Sequence, residues 1–114
     1  MKQYRIFWAL LFVLLLVTTA VSADNIYTNC NSNFYLEYGS GYTECKDTLS
    51  AHSYRTVGRT DGTPNARVAV YIEDEYGNVK AYDVSKGVND TAEAWWTQRV
   101  TTKHKHRAAS HIIW

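Results

Sequence analysis

The chain has 114 residues and a formal charge of +1. Residues 1–23 read as a secretory leader, which leaves 91 for the fold. That suffices for one small domain and excludes a multidomain enzyme or a nucleotide-binding repeat of strands and helices. The 91 residues carry 10 bases and 11 acids, a net of −1, so nucleic acid is not an expected partner.

In the leader, Lys2 and Arg5 precede the apolar run Ile6 to Val17, and Val21-Ser22-Ala23 suits signal peptidase. The run is short of the roughly 20 residues that span a bilayer, so cleavage and export are expected. The Asn-rich lead-in 24–33 has no clear period. Phe34 to Tyr38 predicts a strand, Gly39-Ser40-Gly41 a turn, and Tyr42 to Cys45 the return. His52 to Val57 alternates and predicts a strand, and residues 58–65 predict a loop.

Ala66 to Asp74 is the strongest strand signal. Val68, Val70 and Ile72 fall on one face, with Arg67, Ala69, Tyr71 and Glu73 on the other. Glu75 to Asn78 is a hairpin turn and Val79 to Val84 the returning strand. Residues 90–101 carry two signals. Asp90 with Glu93 resembles a helix capping box, whereas Thr, Trp and Val over 95–102 favour a strand, the preferred reading. Ser110 to Trp114 predicts a closing strand. Six to eight short strands with few helical signals predict an all-β fold, a small antiparallel sandwich or barrel spanning 24–114.

Cys30 and Cys45 allow one intrachain bridge, the expected state outside the cytosol. Closing this 16-residue segment is worth about 3 kcal/mol. The bridge is expected to tie the lead-in back onto the first hairpin. With no histidine close by in sequence, the two cysteines make a weak zinc site.

Charge is segregated along the chain. Residues 24–98 carry a net −5, and residues 99–114 a net +4 from Arg99, Lys103, Lys105 and Arg107. The cationic strip also holds His104, His106 and His111, with Trp95, Trp96 and Trp114 flanking it. Cations beside Trp suit an anionic membrane surface, a polyanionic surface polymer of the cell wall or an acidic partner. The competing reading is a solvated edge strand kept from pairing by lysine. On a strand His104 and His106 face one side and can share an ion, with His111 or His52 as third ligand. An exposed His-x-His pair is more often plain surface, and no metal or cofactor is assigned. Glu73-Asp74-Glu75 lacks calcium-loop spacing.

No catalytic motif is present. Glu73, Arg67 and His52 or His104 would be the only set to draft for a small hydrolase, and their spacing does not select them. The tyrosines at 27, 35, 38, 42, 54, 71, 76 and 82 suit both a small core and a contact surface.

The leader, the small β-rich chain, its Tyr and Trp content, and the ending Ala109-Ser110 to Trp114 resemble the lactococcin 972 type of secreted bacteriocin. The likeness covers residues 66–114; the Cys30 to Cys45 segment departs from it. The resemblance implies a small antiparallel β-sandwich that binds a lipid-linked wall precursor, and it carries over no binding residues. The expected protein is therefore secreted and non-enzymatic, and binds through Trp95, Trp96, Arg99, Lys103, His104, Lys105, His106, Arg107 and Trp114. A generic protein- or glycan-binding module is the alternative. N-terminal sequencing of exported protein is expected to start at or near Asp24; finding Met1 there overturns the leader.

Overall fold

The computed structural model describes residues 24–113; the leader and Trp114 lie outside the described residues. Eight strands form, and no helix is present among the described residues. They are β1 (Asp24–Thr28), β2 (Asn33–Leu36), β3 (Gly39–Asp47), β4 (His52–Thr60), β5 (Ala66–Asp74), β6 (Val79–Val84), β7 (Thr91–Gln98) and β8 (His104–Ile112). One antiparallel sheet has the order β1-β8-β5-β6 and the other β2-β3-β4-β7. The all-β sandwich read from the strand pattern is the observed class.

Side-chain alternation puts one face of each sheet inside. Sheet β1-β8-β5-β6 contributes Val68, Val70, Ile72 and Ala108, all nearly inaccessible. The facing sheet contributes Phe34, Tyr54, Ala92 and Ala94. Gly58 lets the two layers close together. A Cβ there would stand 2.6 Å from Val68 Cγ1 and 2.9 Å from Val70 Cγ1.

Several local expectations are corrected. The first hairpin turns at Glu37-Tyr38, with Leu36 opposite Gly39, so Gly39-Ser40-Gly41 lies within β3. A Cβ on Gly41 would meet Val57 O and the Phe34 ring, so this glycine serves close packing, not a turn. For the same reason β4 runs on through Gly58 to Thr60, and the loop shrinks to 61–65. The lead-in supplies an edge strand, β1, in register with β8. The closing strand begins at His104 and lies between β1 and β5.

Residues 91–98 form a strand, as preferred. Its would-be cap residues have other partners. Asp90 accepts the backbone N–H of Lys86, which holds its carboxyl below the usual range. Glu93 pairs with Arg55 at 2.8 Å. Between β5 and β6, Asp74 accepts the N–H groups of Tyr76 and Asn78, and Gly77 takes φ 85°.

Ile72 is completely buried at the centre of the core. Ile72→Ala is expected to cost about 3 kcal/mol, read as a lower urea midpoint with an unchanged slope.

Candidate functional site

The β1–β2 connection crosses from one sheet to the other at one end of the sandwich. Asn31 takes φ 53° in this turn and its Oδ1 accepts the Cys45 N–H at 3.1 Å. That contact holds Cys30 beside β3, and Cys30 and Cys45 are joined in a disulfide. The bridge ties the lead-in to the hairpin. Cys45 itself lies opposite Tyr54 of β4.

Across the sandwich, β8 directs both histidines inward. His106 is 2% exposed, and His104 is half-buried with its ring stacked on Tyr54 at 3.7 Å. Their Nε2 atoms are 3.0 Å apart. Cys45 Sγ lies 3.5 Å from His104 Nε2 and 3.4 Å from His106 Nε2. Cys30 Sγ lies 3.6 and 3.8 Å from the same atoms. Two sulfurs and two imidazole nitrogens thus converge on one point. Sequence proximity alone could not reveal this: the pairs are separated by some 60 to 75 positions and meet only because β1 and β3 flank that end of β8's inner face.

The surroundings settle the tautomer of His104. Thr56 Oγ1 lies 3.1 Å from the Tyr71 carbonyl oxygen and 2.7 Å from His106 Nδ1. The Thr102 carbonyl can only accept, so His104 Nδ1–H donates to it at 3.2 Å. His104 therefore turns its Nε2 lone pair into the cluster, and His106 Nε2 lies 3.0 Å from it, within hydrogen-bond reach. Burial, with His104 acting in the same direction, pushes His106 down to about 4.

Neither histidine considered as a third ligand joins the cluster. His111 lies opposite Arg67, on the outward face of β8. His52 pairs with Asp47 at 2.7 Å. The catalytic set does not assemble either. Glu73 is held by the Tyr27 hydroxyl and by Arg107, and Arg67 lies six residues away on the same strand.

The cationic strip does not form one surface. Trp95 is exposed on the outer face of one sheet, with the Arg55 guanidinium 4.8 Å from its ring centroid. Trp96 turns inward against Tyr54. Arg99 and Lys103 are exposed outside the strands. His106 is core. Lys105 and Arg107 lie on the outer face of the other sheet, and Trp114 is outside the described residues.

That second outer face carries a row in register across four strands: Tyr27, Arg107, Tyr71 and Tyr82. Tyr71 stacks on Tyr82, and Arg107 lies 3.9 Å from the Tyr71 ring centroid and 2.8 Å from Glu73. Lys105 extends over Tyr27 at 5.8 Å. Tyr27 and Tyr82 are 58% and 67% exposed.

No protein-family model, curated protein or solved structure matches this chain. No helix among the described residues is long and apolar enough to cross a membrane.

Because His106 is depressed in the folded state, the unfolded chain binds the extra proton first. Its contribution is full above about pH 6.5 and is lost as pH falls toward 4. A loss of about 2–3 kcal/mol over that window is expected from urea melts at stepped pH. In His106→Leu this acid limb is expected to flatten.

Proposed function

We propose that the protein is secreted and acts by binding, not catalysis, on an anionic component of a cell envelope. The row Tyr27, Arg107, Tyr71 and Tyr82, with Lys105 beside it, carries this reading. Rings on a flat sheet face can stack on sugars, and cations beside them attract phosphate or carboxylate groups. A lipid-linked wall precursor or a wall polymer combines both chemistries. The leader pattern and the disulfide support export. The resemblance to lactococcin 972-type bacteriocins favours the wall precursor as target and makes the activity antimicrobial.

A second reading, a generic protein- or glycan-binding module, rests on Trp95. Its exposed ring, with Arg55 beside it and Tyr42 on the far side of Arg55, gives the opposite face its own stacking platform.

Sedimentation of the purified protein with isolated cell walls and with anionic vesicles tests the envelope target. Lys105→Glu and Tyr82→Ala are each expected to weaken binding about 10-fold, and raised salt to weaken it further. Absence of binding, or binding indifferent to salt and to both substitutions, overturns the assignment. Growth inhibition of Gram-positive cells is the outcome specific to a bacteriocin. If Trp95→Ala alone abolishes binding, the second reading stands instead.

A further inference from the structure

The two histidines bring their Nε2 atoms to within 3.0 Å of each other, with both Nδ1 atoms engaged behind them by Thr56 and Thr102. A cation at this point needs a bare Nε2 on each ring, and the Nδ1–H tautomers supply it, with Thr56 Oγ1 and the Thr102 carbonyl as acceptors. The nearest additional atoms are sulfurs, which are soft donors and offer no proton while bonded to each other.

The geometry points to a second state of this site, in which Cys30, Cys45, His104 and His106 hold one tetrahedral Zn²⁺ once the disulfide is reduced. Zinc bonds of about 2.05 Å to nitrogen and 2.3 Å to sulfur place two nitrogens about 3.3 Å apart, and each sulfur about 3.6 Å from each nitrogen. The observed separations are 3.0 Å between nitrogens and 3.4–3.8 Å from sulfur to nitrogen. Five of the six ligand–ligand distances are thus near those of the metal complex. The sixth, between the sulfurs, is held by a covalent bond.

Other features suit a metal site. Thr56 and the Thr102 carbonyl orient the two imidazoles from behind, the outer contacts that ligating histidines use. Cys30 is exposed, and a shallow depression lined by Tyr27, Thr28, Asn29, His104 and Lys105 opens beside the cluster as an entry path.

The chemistry balances with a dithiol reductant. The dithiol gives two electrons and two protons to the Cys30–Cys45 bond and becomes a cyclic disulfide. Zn²⁺ then replaces the two thiol protons, which leave to solvent, and the two imidazoles complete the shell. Disulfide and zinc are mutually exclusive occupants: the disulfide ties this end of the sandwich in oxidising surroundings and zinc does so in reducing ones.

The test is anaerobic titration of the purified protein with Zn²⁺, oxidised and after reduction with a phosphine. Reduced protein is expected to bind one ion at least about 100-fold tighter than oxidised protein and to gain thermal stability. Co²⁺ is expected to give tetrahedral ligand-field bands and a thiolate charge-transfer band only after reduction. His104→Ala keeps the disulfide, so its oxidised form is expected to melt as a folded protein while its reduced form loses about 100-fold in zinc affinity. Equal zinc affinity in both redox states, wild-type affinity in reduced His104→Ala, or a reduced chain that unfolds and is not restored by zinc each overturns the proposal.

Discussion

The hydrogen bond between His106 Nδ1 and Thr56 Oγ1, 2.7 Å long, joins the two sheets in the interior. A buried imidazole without it would be costly. Thr56 Oγ1 also reaches the Tyr71 carbonyl at 3.1 Å. Together these contacts fix the His106 ring and aim its Nε2 at His104 and the sulfurs. The chemistry at the end of the sandwich follows from a threonine hydroxyl on β4 that faces inward.

The same strand serves two surfaces. Along β8, His104, His106, Ala108 and Ser110 face the core, while Lys105, Arg107 and Ala109 face outward. A basic segment that is continuous in sequence is therefore divided by the pleat. Its histidines meet the disulfide, and its cations meet tyrosines. Arg107 is fixed between Tyr71 and Glu73, whereas Lys105 lies over Tyr27 with its head in reach of solvent. This gives the outer face an aromatic row with an exposed cation beside it.

The cluster links stability to two conditions of the surroundings. Acid charges the unfolded chain's His106 before the folded one's, and a reductant opens the crosslink that holds the β1–β2 turn to β3. Both act at the same end of the sandwich, where the inter-sheet connection is made by the short segment 29–32. The opposite, Gly58-centred region depends on close apolar packing and contains neither kind of group.

Strand alternation was readable directly from residues 66–74, because period two with apolar residues inside has a single solution when one face is buried; residues 79–84 were legible only as the strand returning from the 75–78 turn. The bridge between the only two cysteines, and the shared side of His104 and His106, were also legible. Local sequence misled where glycine serves packing between layers: Gly41 and Gly58 resemble turn residues but lie in strands because a Cβ would strike the facing groups. It was silent on the meeting of Cys30, Cys45, His104 and His106. That meeting depends on β8 lying between β1 and β5 and on a disulfide-held turn crossing the end of the sandwich. These are long-range pairings, and no local periodicity encodes them. Composition and pattern determined a small two-faced β protein with one crosslink; the tertiary structure alone decided that the crosslink faces the Nε2 atoms of two imidazoles.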